Sequence, residues 1–372
     1  MLQLGSVAGE YGVTFVVALG SAALSGAVLQ QAWRPAAFAA LIIGAVHIGG
    51  VVTLHLEDSG GGIRLAAVQP SIPVGSLRTA KGRQTSFARL VNLTESTAAL
   101  RPALIAWPET SIAGNVQTNP LLAADLQSLV EEMGTPLVLG VSEVEKFVSA
   151  VGGGENRPRA YNSAYFLSPG APPSRPYHKR VLLPFGEYVP LEGFVTWPAW
   201  IGGRGYDRAS GDDPQLFTLP DGTLLATLIC WESLFSDLSR EAVVSGARLL
   251  VQLNNPAWFG HTAAGAQQNL SSVLRAVENR TPILLASNTG PSQIIDAYGR
   301  VVAGTRHLFT PDVVVGDVVP SRHRSFYTLA GDWFVYVVFS VTILAGLHPY
   351  LARSMMRVRS MRRVWFAGRR PA

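Results

Sequence analysis

Residues 224–235 read LLATLICWESLF, an uncharged run that ends on a cysteine and passes at once into tryptophan, glutamate and serine. A short apolar run of this kind reads as a buried β-strand, and a strand that ends in a sharp turn presents its next side chain at the mouth of a sheet. Cys230 is the side chain so presented, and it is the only cysteine among 372 residues. An internal disulfide is therefore impossible and a structural zinc site of several thiolates is excluded; neither a metal nor another cofactor is expected. The thiol is either a small buried hydrophobe or a nucleophile.

A thiol attacks at neutral pH only if a neighbour takes its proton, and the oxyanion that follows needs a cation or a donor. Two upstream stretches carry the missing groups. ALIAWPET (103–110) is a second apolar run, ending near Glu109, and RPYHKRVLLPFGEYVP (175–190) is an irregular, proline-punctuated stretch that contains Lys179. Glu109 and Cys230 are expected to project from the same end of adjacent strands, with Lys179 carried over the sheet edge by its loop. The competing readings are that Glu109 caps a helix after Pro108 and that Lys179 is one solvated charge among several.

The ordered set AWPET (106–110), YHKRVLLPFGEYVP (177–190), LICWESLF (228–235), NNPAWFG (254–260) and RAVENRTPILLASNTGPS (275–292) resembles the nitrilase superfamily, the carbon–nitrogen hydrolases with a Glu-Lys-Cys triad. Within that superfamily, LLPFGEYVP, AWFG and the NTG after the last strand look like the apolipoprotein N-acyltransferases. The resemblance runs from about Leu2 to about Leu351. It implies Glu109 as general base, Lys179 as oxyanion stabiliser and Cys230 as nucleophile. It also implies a phospholipid acyl donor, a cysteine thioester, and a lipoprotein acceptor whose N-terminal amine on a lipidated cysteine receives the acyl chain. Three positions depart from the usual pattern: His178 and Pro256 stand where an Asp is usual, and Trp231 where a Tyr is usual. None removes a triad member. Members of the group usually carry several more membrane helices ahead of the first pair seen here, so the chain resembles a short form lacking the first membrane helices.

Composition points to a membrane enzyme independently. Charged residues are 15% of the chain and hydrophobic ones 48%. Tyr11 to Leu29, Ala36 to Leu56 and Trp333 to Leu351 contain no Asp, Glu, Lys or Arg, and each approaches the roughly 20 residues that cross a bilayer. The first run lacks the basic flank of a signal peptide, having Glu10 and no Lys or Arg before Arg34, so a retained helix is expected. The expected organisation is two transmembrane helices within 1–56 (about 11–29 and 36–56), a catalytic domain over 57–327, a transmembrane helix over 328–352 and a basic tail over 353–372. Basic residues favour the cytoplasmic side. The tail RSMMRVRSMRRVWFAGRR (353–370) and Arg34 are thus assigned to the cytoplasm and the large domain to the outside of a bacterial inner membrane. The tail reads as a topology signal that meets anionic lipid, not as a nucleic-acid binder.

Between the membrane runs, strands are expected at Ile63 to Gln69, 103–107, Pro136 to Glu143, Tyr161 to Leu167, 224–230, Ala247 to Leu253, 282–287 and Val313 to Val319. Helices are expected at Arg83 to Thr97, Pro120 to Met133, Ser236 to Ser245 and Ala264 to Asn279. Alternation of this sort indicates a layered α/β domain, which periodicity alone leaves open between a doubly wound sheet and the four-layer α-β-β-α sandwich that the resemblance implies. The Gly-rich pieces near Ser59 and Val151 lack P-loop spacing and read as linkers.

Four more residues are candidates for support. Glu187 can pair with or orient Lys179, Glu232 can brace the turn at Cys230, Asn162 resembles a family position near the lysine, and the Trp231 backbone N–H is the second oxyanion donor expected at a helix start. In the stretch 189–213, Phe194, Trp197 and Trp200 accompany glycines 202, 203 and 205. They suit either a lid that touches lipid or packing against the domain itself. Two rival functions stand beside acyl transfer: a membrane-tethered amidase or nitrilase with water as acceptor, and a non-catalytic membrane scaffold for a lipid-modifying enzyme.

Overall fold

The structure is a computed structural model and describes residues 1–55, 61–145, 159–191, 194–195, 198 and 208–349. Strands β1 (Ile63–Gln69), β2 (Leu104–Ala113), β3 (Leu137–Glu145), β4 (Arg159–Leu167), β5 (Tyr177–His178) and β12 (Asp312–Val318) form one sheet in the order β12-β1-β2-β3-β4-β5. A second sheet takes β6 (Leu216–Thr218), β7 (Leu224–Ile229), β8 (Leu249–Asn254), β9 (Ile283–Ser287), β10 (Gln293–Ile295) and β11 (Val301–Gly304) in the order β11-β10-β9-β8-β7-β6. Each has a parallel centre, β1-β2-β3 and β7-β8-β9, flanked by antiparallel strands.

Side chains alternate faces along a strand, and both faces here are apolar. Leu65, Leu104 and Val138 point inward and meet Leu225, Leu249 and Leu284 of the other sheet in one dry core. Their neighbours Ala66, Ile105 and Leu139 point outward onto Leu90 of α3 (Ala80–Glu95) and Leu126 of α4 (Pro120–Met133). The outer face of the second sheet is covered by α5 (Ser236–Val244) and α6 (Ala264–Asn279). The result is the four-layer α-β-β-α sandwich.

This packing corrects one expectation. Glu109 lies within β2 of the first sheet and Cys230 follows β7 of the second, so the two face each other across the sandwich and do not sit on adjacent strands. Nor does Glu109 cap a helix; the strand continues past Pro108 to Ala113. Strands β5, β6, β10 and β11 were not expected. They are two to four residues long, too short for an alternating pattern to register.

Two helices, α1 (Gly5–Gln30) and α2 (Trp33–His55), are long and apolar enough to cross a bilayer. A shorter apolar helix follows α7 (Phe326–Ala330) over Trp333–Pro349 and is α8. The start of α1 is tied to the sandwich. Glu10 accepts from Arg275 of α6 at 2.7 Å and Gln3 donates to the Tyr298 carbonyl at 2.9 Å, while Trp333 of α8 donates to the Val7 carbonyl at 2.7 Å and joins the two apolar helices. The helix kinks at Gly9, whose φ of +65° favours glycine. A Cβ there would lie 2.6 Å from the Tyr327 ring, so the missing side chain also lets α1 lie against α7. The Gly-rich piece near Val151, Trp197, Trp200 and the tail 353–372 lie outside the described residues, as do Ser59 and Gly60.

Candidate active site

The Cys230 backbone has φ +58°, a left-handed conformation that bends the chain sharply out of β7 and leaves the thiol partly exposed. The turn continues as a 3-10 helix over Cys230–Leu234. Glu232, fully buried, holds this turn. Its carboxylate accepts from the Ile229 amide at 2.8 Å, from the Arg180 and Val181 amides at 2.7 and 3.1 Å, and from the Tyr177 hydroxyl at 3.0 Å. Trp231 adds a bond from its indole to the Val181 carbonyl at 2.7 Å. The nucleophile turn and the lysine loop are thus one hydrogen-bonded unit, and Glu232 is the brace.

Lys179 is 1% exposed and forms an ion pair with Glu187 at 2.7 Å. The same carboxylate accepts from the Leu183 amide at 2.9 Å and the Asn162 amide nitrogen at 3.3 Å, and lies 3.7 Å from Arg208. Asn162 also donates to Glu109 at 2.6 Å, linking the two carboxylates. Glu109 is itself buried. It sits where β2 slips register against β3 between Trp107 and Ile112, and Thr110 beside it has φ +53°.

Opposite this bulge stands Gly140. A Cβ there would lie 2.4 Å from the Pro108 carbonyl oxygen and 2.6 Å from the Glu109 Cα, so only glycine lets Glu109 take its place. Gly140→Ala is accordingly expected to lower turnover by about a hundredfold, the penalty of misplacing a reacting group by roughly 1 Å. Rate and thermal midpoint measured together check this; an unchanged rate would mean that the position of Glu109 does not matter.

Electrostatically the groups act as a set. Burial is the largest influence on Cys230 and pushes its thiol up, as do the carboxylates of Glu109 and Glu187; Lys179 and the Trp231 N–H pull it down. The resting thiol is therefore neutral and must lose its proton as it attacks. Burial likewise raises Glu109, opposed by Lys179, which makes it a stronger base than an exposed carboxylate. Burial works against the Lys179 charge while Glu109 and Glu187 favour it, and the ammonium is held above its usual range. A buried carboxylate, a fixed ammonium and an accessible thiol make up the minimum set for proton abstraction, oxyanion stabilisation and nucleophilic attack.

The structure thus brings Glu109, Lys179, Cys230, Glu187, Glu232, Trp231 and Asn162 together. Phe194 is 91% exposed. His178 lies on β5, its Nδ1 2.8 Å from the Ser163 hydroxyl and its ring tilted against Tyr161 at 4.3 Å between centroids, apart from this network. Several functional positions were missed. Tyr177 sits in the quoted YHKR stretch and could have been found there. Arg208 and Gly140 gave no signal of their own, nor did Gln268, whose amide nitrogen lies 4.0 Å from the Cys230 sulfur.

The chain is similar to known proteins in sequence and in fold. Residues 64–327 match the family described as carbon-nitrogen hydrolase. Proteins named apolipoprotein N-acyltransferase are similar over most of the chain. The one from Geobacter metallireducens is 32% identical over 93% of this chain and 67% of its own length, and the one from Brucella melitensis is 32% identical over 82% of this chain. A third, from Agrobacterium fabrum, is 30% identical over 85% of this chain. The chain spans only 58% of the Brucella protein and 60% of the Agrobacterium one. Among solved structures, a cysteine variant of a Nesterenkonia amidase of the nitrilase superfamily superposes with a TM-score of 0.52 at 16% identity, covering 76% of this chain and 99% of that one. That likeness concerns the fold.

Proposed function

The chain belongs to the carbon-nitrogen hydrolase family and, within it, to the apolipoprotein N-acyltransferases, and on that premise we propose that it moves a fatty acyl chain from a phospholipid, through a Cys230 thioester, to the N-terminal amine of a lipoprotein's lipidated cysteine. In the first half-reaction Glu109 takes the thiol proton as Sγ attacks the ester carbonyl. Lys179 and the Trp231 N–H hold the oxyanion. The ester C–O bond breaks, and the leaving lysophospholipid oxygen takes the proton from Glu109. In the second, the amine attacks the thioester, Glu109 accepts a proton from it, the C–S bond breaks, and that proton passes from Glu109 to Sγ to restore the thiol. Glu187 and Asn162 keep Lys179 and Glu109 in place throughout.

One observation favours acyl transfer over hydrolysis of a small amide: the first apolar helix is bonded directly to the catalytic sandwich, through Glu10–Arg275 and Gln3–Tyr298. An enzyme acting on a water-soluble amide has no need of that union. In this reading α1, α2 and α8 span the inner membrane, the sandwich (57–327) lies on its outer face, Phe194 and the stretch around it touch lipid, and the basic tail lies in the cytoplasm. Incubating the full-length protein in phospholipid nanodiscs with a diacylated peptide bearing a free α-amino group tests the reading. The peptide is expected to gain one acyl mass; release of free fatty acid with no peptide acylation would make the protein a hydrolase.

The acid limb of the rate profile follows from Glu109. The base must be ionised, and because burial raises it, kcat/KM is expected to fall on the acid side with a midpoint above the ordinary carboxylate value of about 4.3. Glu109→Gln should be inactive at every pH. A limb at or below the ordinary value would assign the base to another group.

A further inference from the structure

At the far end of the second sheet from Cys230 is a cleft of about 540 Å³, between the end of α5 and the segment that leads into α7. Arg248, Arg322 and Arg324 line it with His323, over a floor that includes Val243 and Ala247, and no Asp or Glu takes part. Arg322, His323 and Arg324 are exposed. Arg248 and Arg324 are spent on backbone carbonyls, Ser321 at 2.7 Å and Val244 at 2.9 Å, so their positions are fixed while their charge is uncompensated by any carboxylate among the described residues. Three guanidinium groups gathered around a cleft repel one another unless an anion joins them, and their planar forks suit the oxygens of a phosphate.

The surroundings say where that phosphate comes from. One turn further along the chain, Phe326 and Leu329 are 53% and 63% exposed on α7. Tyr327 between them packs under the Gly9 kink of α1, and α8 starts two residues after α7 ends. The arginines therefore stand where the chain enters the apolar helices, the level of lipid headgroups. Lys and Arg beside a span favour the cytoplasmic side, so topology does not account for this group on the sandwich side. Nor is the cleft part of the catalytic centre: the Arg248 amide bonds to Leu224, at the start of β7, about 20 Å along the strand from Cys230 by the usual rise per residue.

We propose that the cleft of Arg248, Arg322 and Arg324 binds the phosphate headgroup of an anionic phospholipid and seats the sandwich on the membrane, at a site separate from the one where acyl donor reacts. This rests on the membrane-spanning reading of α1, α2 and α8, and not on acyl transfer.

The test is lipid retention, read by native mass spectrometry on full-length protein released from nanodiscs of equal parts phosphatidylglycerol and phosphatidylethanolamine. The wild type is expected to retain phosphatidylglycerol at least about tenfold over phosphatidylethanolamine, charge-assisted guanidinium–phosphate pairs being the strong ones. R322E, which reverses an exposed charge, and R322Q/R324Q should both return to the bulk ratio while keeping the wild-type thermal midpoint. No preference in the wild type, or an undiminished preference in R322E, overturns the proposal. A third arm adds inorganic phosphate to lipid-free protein: phosphate binding as tightly as the lipid, and displacing it fully, would make the cleft a free-anion site and overturn the lipid assignment. The readout is intact, non-covalent lipid, so selective retention without any acyl adduct would count against the thioester and leave this proposal standing.

Discussion

Cys230→Ser is expected to abolish turnover, by at least about four orders of magnitude, while leaving the fold intact. Removing the nucleophile of a comparable acyl-transfer unit costs that much or more. The serine fits the space of the thiol, and the turn it occupies is held by Glu232 and Trp231, so the thermal midpoint should not move. The chemistry should stop because a serine hydroxyl in the same buried place is far less acidic than the thiol, and a carboxylate base is poorly matched to it. Peptide acylation and thioester formation should vanish together. Turnover within tenfold of wild type would remove Cys230 from the mechanism.

Lys179→Ala should lower the acylation step by at least about a hundredfold, the usual cost of one preorganised oxyanion donor. It should also destabilise the protein by about 3–5 kcal/mol, because Glu187 would be left buried without its nearest cation. The two effects can be separated. Lys179→Ala combined with Glu187→Gln removes the stranded charge and should recover much of the stability but none of the rate. Lys179→Arg should not restore the rate either, since a planar guanidinium spreads the charge that a compact ammonium sets against one oxygen. If thioester formed at the normal rate in Lys179→Ala and only transfer to the amine failed, the lysine would belong to the acceptor site.

Much of this site was legible because its key residues lie at the ends of apolar runs. A run such as LLATLIC announces a buried strand by composition alone, and the side chain at its end is committed to the edge of the sheet. Most strands and helices expected around the site fall within a few residues of those observed, Pro120–Met133 and Ala264–Asn279 to the residue, but the strand expected at 103–107 runs six residues further, to Ala113. What one-dimensional periodicity lacks is the identity of the partner sheet. It registered that Glu109 and Cys230 both end runs, yet not that they face each other across a sandwich. Long-range contacts were equally silent. Gly140 matters only because a bulge thirty residues upstream presses against it, and Arg208 only because its loop returns to Glu187. Glu232 was named as a brace from its place beside the cysteine, but its bonds to Arg180 and Val181, some fifty residues away, are what join the nucleophile turn to the lysine loop.

The central claim is that Cys230 carries the acyl group between donor and acceptor, and intact-mass spectrometry of the full-length protein incubated with phospholipid, without any acceptor amine, tests it most directly. The account predicts a single acyl-sized mass increase, removed by hydroxylamine, mapped to the peptide containing Cys230 and absent from Cys230→Ser. Unmodified protein under these conditions, in a preparation that acylates peptide at full rate once the amine is added, would contradict it and require direct transfer from lipid to amine.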